Sequence, residues 1–423
     1  MESSCAEREL ELGLGQRLRR GIRRVLFALG IIGPGLITAS ADNDAPGIAT
    51  YSMAGSHFGY AFLWILLWIT LGEALVQEMA ARMGAVTGKG LTDLIRERFG
   101  VRLTFFVMLG LFFANLGTTA AQFAGIAASA ELFGLSRYIA VPLGAFLVGF
   151  VVLKGSYSRV EKVLLLLTLY AVAYVASAII ARPSWPLVLR SAIFPTIRLE
   201  TSYILAVLAT IGTTITPWGA VYMQASVADK GVSAREFKYT RLDVIIGAVA
   251  GNVVSAFIVI ATAATLFAHG IRVEEAAEAA MALAPVAGEF ARALFAGGLL
   301  GASLLAASVL PLATAYAITE AFGWERGLDR TWGEAPMFYG IFFALIAISV
   351  LVVLIPGMPL FAFMWLSQVA NSVLLPVILV IMLRLANDRG VMGEHCNRRV
   401  GNALVVALTA LVTGAVAVLL VTL

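Results

Sequence analysis

The stretch Ser40-Ala41-Asp42-Asn43-Asp44-Ala45-Pro46-Gly47 interrupts the first apolar segment of the chain with polar residues and a proline. A similar interruption, Ile211-Gly212-Thr213-Thr214-Ile215-Thr216-Pro217-Trp218, occurs at the matching position of the second half. A helix inside a bilayer satisfies its own backbone hydrogen bonds, so a break is tolerated only where it lines a buried site or a cavity. Breaks at corresponding positions of two repeats are typical of the substrate site of a secondary transporter.

The composition predicts the class of protein in which these breaks lie. The 423 residues are 60% hydrophobic and 13% charged, whereas soluble domains average about 45–50% apolar and about 25% charged residues. A membrane-spanning helix needs about 20 apolar residues, and eleven segments of this chain qualify. They are residues 24–53, 59–82, 103–130, 136–154, 160–181, 201–228, 240–269, 293–322, 337–355, 359–386 and 400–422. We therefore expect an all-α polytopic membrane protein.

The eleven segments divide into two groups of five and a final helix, and each group opens with a broken helix. Because five is an odd number, the two groups face opposite ways in the membrane and form an inverted repeat. The predicted organisation is a cytoplasmic N-terminal segment (1–23), a first five-helix repeat (24–181), an external loop (182–200), a second five-helix repeat (201–386), a cytoplasmic loop (387–399) and an eleventh transmembrane helix (400–423). The acidic run 272–278 predicts a short external helix.

The basic residues predict the orientation. Most of the 30 Lys and Arg residues fall in segments that are cytoplasmic if the N-terminus is inside, as the positive-inside rule requires. An odd number of spans then places the C-terminus outside, and the expected location is the inner or plasma membrane. This asymmetry explains the net charge of +4 without nucleic-acid binding, and nothing indicates an obligate protein partner. Cys5 and Cys396 both fall on the predicted cytoplasmic side, where a structural disulfide is rare.

Asp44 is the strongest candidate for a metal ligand. A carboxylate at mid-bilayer is costly and commonly marks a transport pathway, and no Lys or Arg lies mid-membrane to pair with it. Asp42 is interpreted as a residue that supports the ligands or faces a vestibule, with direct ligation as the alternative, and Asn43 is left open between these roles. The dipeptide Pro46–Gly47 is expected to end a helix and to free the carbonyl oxygens near Ala45, which are donors for a hard cation.

The second break offers neutral oxygen atoms. Gly212 and Pro217 bracket the unwound stretch, and the carbonyl of Thr213 and the hydroxyl of Thr216 are expected to face the site. The alternative is that the threonine hydroxyls bond back to their own helix. Carboxylate, carbonyl and hydroxyl oxygens without sulfur favour a hard cation.

Three further polar residues lie in apolar spans. Gln368 on the tenth span is either a direct or water-mediated ligand or a residue that hydrogen-bonds between helices, and the second role is favoured for Asn371. Glu73 on the second span is a buried glutamate and hence a functional candidate, although the sequence does not place it at the site. No histidine lies in the bilayer core to relay protons.

Several motifs resemble those of the Nramp family of divalent-metal transporters, and the resemblance runs over most of the chain. They are Gly33-Pro34-Gly35, Phe58-Gly59-Tyr60, the run Ala-Ala-Arg-Met-Gly-Ala-Val-Thr-Gly-Lys at 80–89, and Leu366-Ser367-Gln368-Val369. The resemblance implies a LeuT-type fold, with ten core helices in two inverted repeats and with helices 1 and 6 unwound at the membrane midplane.

The departures from the family pattern lie at the two breaks. The family motif Asp-Pro-Gly-Asn reads Asp44-Ala45-Pro46-Gly47 here, so the acidic ligand remains and glycine replaces an asparagine ligand. The family motif Ala-Thr-Val-Met-Pro-His reads Thr213-Thr214-Ile215-Thr216-Pro217-Trp218, so Thr216 replaces a methionine and Trp218 replaces a histidine. The implied metal ligands are Asp44, Ala45, Gly47, Thr213, Thr216 and Gln368, and the implied supporting or pathway residues are Asp42, Asn43, Glu73, Trp218 and Asn371.

This pattern is similar to that of the Nramp-related magnesium transporters. Loss of the thioether removes a ligand that favours Mn²⁺ and Fe²⁺ over hard ions, and Mg²⁺ tends to keep several of its waters when bound. The resemblance therefore implies alternating-access transport of Mg²⁺, and also Mn²⁺, as a partly hydrated ion, with the metal as substrate and no cofactor.

The resemblance also bears on proton coupling. The acidic positions of the third span that are associated with coupling align with Thr118 or Thr119 and with Ala121 or Gln122, none of which titrates, so uncoupled transport is expected. The alternatives are proton-coupled Mn²⁺/Fe²⁺ transport through another acid such as Glu73, Al³⁺ transport, and an organic-substrate symporter on the same scaffold. No nucleotide-binding glycine loop or nucleophile–base pair indicates an enzyme.

Overall fold

The computed structural model describes residues 43–153, 171–232, 237–328 and 330–422, and within these ranges every regular element is a helix. The helices are α1 (Ala45–Phe58), α2 (Leu63–Thr87), α3 (Leu91–Leu132), α4 (Arg137–Leu153), α5 (Ala171–Ile180), α6 (Trp185–Ile193), α7 (Thr201–Thr214), α8 (Pro217–Asp229), α9 (Phe237–Thr265), α10 (Ala276–Met281), α11 (Ala291–Phe322), α12 (Pro336–Val353), α13 (Leu360–Asn387) and α14 (Arg399–Thr422). Short turns at Gly59–Phe62, Phe267–His269, Ala284–Ala287, Gly288–Phe290, Arg389–Met392 and Gly393–His395 connect some of them.

The described ranges contain eight helical segments that are long and apolar enough to cross a membrane, and α4 is a shorter apolar helix. The prediction of a multi-pass helical membrane protein is therefore confirmed. The predicted spans 24–53 and 160–181 lie partly outside the described residues. The predicted domain boundaries stay predictions.

The third span differs from its predicted boundaries because its helix begins at Leu91 rather than at residue 103. Hydropathy placed the start after the arginines of this region, but the helix runs through them. Gly100 has a φ of +81°, a conformation that glycine adopts without strain, and it kinks the helix at the end of a short polar first section. That section is held in place by Arg96, which donates to the Ala321 carbonyl at 3.2 Å.

The second break lies where the sequence predicts it. α7 ends at Thr214, α8 begins at Pro217, and the two residues between them are not helical. Proline at the start of α8 needs no hydrogen-bond partner for its nitrogen and has a φ suited to the first turn of a helix. The break is therefore encoded by a helix-starting signal in mid-membrane.

The first break differs from its prediction in one respect. Pro46–Gly47 does not end a helix but opens one: α1 starts at Ala45, with Asp44 as its N-cap. An acidic cap followed by a proline in the first turn is the usual pattern of a helix start. The residues that precede the break lie outside the described residues.

The acidic run between α9 and α11 also forms less helix than predicted. Only its last residues are helical, in α10, which Glu275 begins as the N-cap of a capping box with Glu278. The backbone N–H of Glu275 donates to the Glu278 carboxylate at 3.0 Å. These acidic side chains therefore serve the start of a helix.

The core places the two breaks beside α3. α3 packs along α11 and α13, while α1 contacts α3, α7, α9 and α13. Glycine makes one of these approaches possible: a Cβ added at Gly125 of α3 would lie 2.4 Å from the Cβ of Ala45. The start of α1, the end of α7 and the middle of α3 consequently meet in the protein interior.

Candidate metal site at the two helix breaks

Asp44 lies at the centre of the candidate site. Its Oδ1 accepts the backbone N–H of Gly47 at 2.9 Å, and its Oδ2 accepts an Nε2–H of Gln122 at 2.5 Å. The side chain is 5% exposed, and no basic side chain among the described residues forms an ion pair with it. A carboxylate buried in a membrane protein without a basic partner is costly and typical of a cation-binding position.

The carbonyl groups of Ala45 and Gly47 lie in the first turn of α1. Carbonyls in a helix accept the N–H of the residue four positions later, as that of Asp44 does from Ile48 at 2.9 Å. The expectation that the break frees these oxygens was therefore wrong for this side of the break. Their ligand role stays a prediction that relies on the second lone pair of each oxygen.

At the end of α7, a proline in the sequence removes the N–H that a carbonyl oxygen would otherwise accept. The carbonyl of Thr213 would accept the N–H of residue 217 in a continuous helix, but Pro217 has no N–H. The last intrahelical bond runs from the Ile215 N–H to the Ile211 carbonyl at 2.8 Å. The C-terminus of a helix also carries a partial negative charge, which favours a cation. Thr213 is buried and fits its predicted role as a backbone ligand.

The side chain of Thr216 is the N-cap of α8. Its Oγ1 accepts the N–H of Gly219 at 3.1 Å, which leaves one lone pair of the hydroxyl for an ion or a water. Trp218 is buried, and its indole N–H has no hydrogen-bond partner in the described part of the chain. The side chain is a donor and not a metal ligand, and the supporting or pathway role predicted for Trp218 stays a prediction.

The tenth span lies directly against the end of α7. A Cβ added at Gly212 would lie 2.0 Å from the carbonyl oxygen of Gln368, so only glycine allows this approach. The amide of Gln368 is buried and already engaged: Nε2 donates to Ser367 at 2.8 Å, and Oε1 accepts from Asn371 at 3.0 Å. Asn371 also donates to Thr118 on α3 at 3.0 Å. Asn371 thus connects α13 to α3, whereas these two bonds of the Gln368 amide stay within α13. The ligand role of Gln368 stays a prediction.

Asn43 and Glu73 both form hydrogen bonds with α9. Asn43 donates to the Gly251 carbonyl and accepts from Ser255, each at 3.2 Å. The carboxylate of Glu73 accepts from Asn252 at 2.5 Å. The roles predicted for Asn43 and Glu73 stay predictions. Asp42 lies outside the described residues.

Gln122 is the contact of Asp44 that the sequence did not single out. It was recognised only as a non-titrating residue of the third span, and the available signal was a wholly buried amide among small and apolar neighbours. The assembled donors are one carboxylate, the carbonyl and hydroxyl oxygens of the second break, and amides. In the described ranges no group of three His, Cys, Asp or Glu residues comes together.

Comparisons with known proteins place this site in context. Residues 35–422 match a family model described as "Nramp: Natural resistance-associated macrophage protein-like". The chain is 30% identical over 410 residues to the "Divalent metal cation transporter MntH" of Aeromonas hydrophila subsp. hydrophila, across 93% of this chain and 96% of that protein. It is 27% identical over 301 residues to the protein of the same name from Bacillus subtilis, across 69% of this chain and 70% of that protein.

Solved structures share the fold at lower identity. The chain is similar to the crystal structure of the Eremococcus coleocola manganese transporter, with a TM-score of 0.72 and 24% identity over 91% of this chain and 85% of that one. It is also similar to MhsT in complex with L-phenylalanine, with a TM-score of 0.61 and 15% identity over 93% of this chain and 98% of that one. At these identities the likeness concerns the fold.

Proposed function

Because this chain belongs to the Nramp family, whose model matches residues 35–422, we propose that it carries divalent metal ions across the membrane by alternating access. The predicted resemblance and the LeuT-type fold class are confirmed by these comparisons. The relatives are named as metal cation transporters, so the prediction that the chain is a transporter and not an enzyme is also confirmed. The placement in the magnesium branch, a cytoplasmic N-terminus and an external C-terminus stay proposals.

The observation that carries the proposal is the buried carboxylate of Asp44. It lies at the start of α1, accepts two N–H donors and has no basic partner in the described ranges. Two hydrogen bonds offset only part of the cost of a buried negative charge, and a bound cation offsets the rest. The Thr213 carbonyl at the negative end of α7, which Pro217 cannot satisfy with an N–H, adds a second donor of the kind that hard cations bind.

The identity of the ion follows from the chemistry of the donors. All the donors that we assign are oxygen atoms, which select hard cations such as Mg²⁺ and also bind Mn²⁺. One carboxylate with neutral oxygens suits Mg²⁺, which is commonly bound through one or two carboxylates and keeps several waters. We therefore propose that the chain transports Mg²⁺ and Mn²⁺, each as a partly hydrated ion and without a coupled proton.

A second candidate is proton-coupled transport of Mn²⁺ or Fe²⁺. Two observations favour it. A solved structure of the same fold is named as a manganese transporter. Glu73 is a buried carboxylate that accepts a hydrogen bond from Asn252 of α9, and Asn43 at the first break donates to Gly251 of the same helix. The names favour this candidate, whereas the donor set favours the first. Transport of Al³⁺ and transport of an organic substrate are two further hypotheses that the same experiment tests.

The experiment is a flux measurement in proteoliposomes that contain either a Mg²⁺ indicator or a Mn²⁺ indicator, with an internal pH dye in parallel vesicles. Asp44→Asn removes the charge and keeps the shape and the acceptor for Gly47. We expect its flux to fall at least about tenfold, as when a ligand shell is damaged. Asp229→Asn, on an exposed aspartate at the C-terminal end of α8, is the matched control and should retain flux.

Entry of Mg²⁺ and Mn²⁺ without acidification supports the first candidate. Entry of Mn²⁺ with acidification and without Mg²⁺ supports the proton-coupled candidate. Uptake of Al³⁺ or of an amino acid, together with no flux of divalent metal ions, would contradict both candidates.

A further inference from the structure

We propose that Gln122 of α3 is an ion-contacting residue that determines specificity. An amide N–H of Gln122 donates to Asp44, and when a cation enters, the amide rotates and offers its oxygen as a ligand. This inference rests on the proposed transport of divalent metal ions. It adds α3 to the two broken helices and α13 as a source of ligands.

The first observation is the contact itself. Nε2 of Gln122 lies 2.5 Å from Oδ2 of Asp44, and the Gln122 side chain is wholly buried. The other carboxylate oxygen accepts the N–H of Gly47. Each oxygen of Asp44 is therefore occupied by one N–H donor, and a cation that approaches Oδ2 meets the Gln122 amide first.

The second observation is the state of the amide oxygen. Oε1 of Gln122 is buried and has no hydrogen-bond partner anywhere in the described ranges. A buried amide oxygen without a partner costs free energy, so its position requires an explanation. A carboxamide oxygen is a ligand that hard cations accept readily. This unpartnered oxygen belongs to Gln122, whose amide contacts Asp44, the predicted charged ligand.

The distances permit the exchange. The two end atoms of a carboxamide are about 2.2 Å apart, given its bond lengths, so Oε1 lies within about 4.7 Å of the Asp44 oxygen. Two oxygens that share a Mg²⁺ ion at about 2.1 Å each are separated by about 3–4 Å. The terminal torsion of glutamine has a broad, nearly two-fold energy profile. A rotation about this bond alone moves the oxygen towards the Nε2 position, which is 2.5 Å from Oδ2, and so through the separation of about 3–4 Å that a shared ion needs.

The close packing of α3 holds Gln122 at this distance from Asp44. Gly125, one turn further along, packs so closely that an added Cβ would lie 2.3 Å from Oγ of Ser303 and 2.4 Å from Cβ of Ala45. On the same face of α3, one turn before Gln122, Oγ1 of Thr119 is buried and also lacks an acceptor or donor partner within the described part of the chain. This side of α3 thus presents oxygen atoms at a position fixed by close packing.

A soft ligand placed at this position distinguishes contact with the ion from a structural role. Gln122→Met keeps the length of the side chain and replaces the amide by a thioether, which favours soft cations such as Cd²⁺. If residue 122 contacts the ion, the ratio of Cd²⁺ to Mg²⁺ affinity should rise at least about tenfold, a typical size for a change in the ligand shell. Affinities are measured by titration calorimetry on the purified full-length chain, and flux is measured in proteoliposomes.

Gln224→Met is the matched control. Gln224 on α8 is also wholly buried, donates its amide N–H to the Lys89 carbonyl at 3.1 Å and has an unpartnered oxygen within the described residues, but it does not touch Asp44. Its Cd²⁺ to Mg²⁺ ratio should stay within about twofold of wild type, by the additivity of distant sites. An unchanged ratio in Gln122→Met, with the protein folded, overturns the proposal.

If Gln122→Met does not fold, Gln122→Glu provides the test, since it keeps the length and adds a charged oxygen. A carboxylate that contacts the ion should bind Mg²⁺ more tightly than wild type, because ligand charge raises affinity. Equal or weaker binding overturns the inference. Failure of the transport proposal looks different: the wild type itself then binds and carries no divalent metal ion.

Discussion

The hydroxyl group of Tyr51 lies 2.8 Å from Oγ1 of Thr214, and this contact joins the middle of α1 to the last residue of α7. Both side chains are wholly buried. The two helices that begin and end at the breaks are thus connected by side chains as well as by packing. The connection fixes the distance between the start of α1 and the oxygens at the end of α7.

Tyr51→Phe should lower both stability and transport. The change leaves Thr214 with one polar partner fewer in a buried position, which costs about 1–2 kcal/mol of unfolding free energy. Thermal unfolding in detergent and Mg²⁺ flux are the measurements. Tyr239→Phe is the control because Tyr239 is 49% exposed, and equal behaviour of the two variants would show that the contact does not matter.

Gly212→Ala should disrupt the packing of α7 on α13. The added Cβ would lie 2.0 Å from a backbone oxygen of Gln368 and 2.7 Å from Oγ of Ser372, so one helix must move. Overpacking of this kind costs about 1–3 kcal/mol, and displacement of the Thr213 carbonyl should reduce ion affinity.

The matched control for this variant is Gly297→Ala in α11, where no atom lies within 4 Å of the added Cβ. An alanine there should leave stability unchanged or raise it by up to about 1 kcal/mol through helix propensity. Unfolding midpoints and Mg²⁺ titrations compare the two variants. A Gly212→Ala protein that matches the control in both measurements would contradict the close approach.

Thr216→Ala and Thr216→Ser separate the capping role of this residue from its side-chain volume. Alanine removes the acceptor of the Gly219 N–H and should cost about 1 kcal/mol, whereas serine keeps it. If the hydroxyl also binds the ion or its water, Mg²⁺ affinity should fall for alanine and be retained for serine. Indistinguishable stabilities for the two variants would argue against the cap.

Glu320→Gln should loosen the end of α11. The carboxylate of Glu320 accepts from Thr92 at the start of α3 at 2.5 Å and pairs with Arg326 at 3.3 Å. Glutamine keeps an acceptor for the hydroxyl but loses the ion pair, so trypsin should cleave after Arg326 about fivefold faster, the effect of about 1 kcal/mol.

Glu325→Gln is the control for this experiment. Its partner Arg330 is 3.9 Å away, and both side chains are largely exposed. Cleavage after Arg326 should therefore stay at the wild-type rate. Equal acceleration in both variants would assign the effect to lost surface charge rather than to the buried carboxylate.

The class of fold and the second break were predictable because they depend on local rules. Long apolar segments require helices in a membrane, and Pro217 removes the one N–H that would continue α7. The start of α1 was predictable in the same way: an aspartate followed by a proline two residues later is a helix-starting pattern, and the expectation of a helix end there overlooked it.

The contact between Gln122 and Asp44 could not be predicted from the sequence. It depends on how closely α3 approaches α1, which Gly125 and Ala45 decide through tertiary packing. The extension of α3 back to Leu91 was missed for a related reason. Hydropathy detects segments that are apolar enough for the membrane. It does not detect a polar section of helix that lies outside the apolar region.

The kink at Gly100 divides α3 into two parts with different attachments. The short first part is fixed to the end of α11 through Arg96 and to the residue after α13 through the ion pair of Arg98 with Asp388 at 2.5 Å. These two contacts attach the first part of α3 to the ends of α11 and α13. The long second part, which carries Gln122, continues from a glycine that accommodates a change of direction. During alternating access we expect the first part to stay with the ends of α11 and α13 while the rest of α3 pivots on Gly100, as helices do about hinge residues.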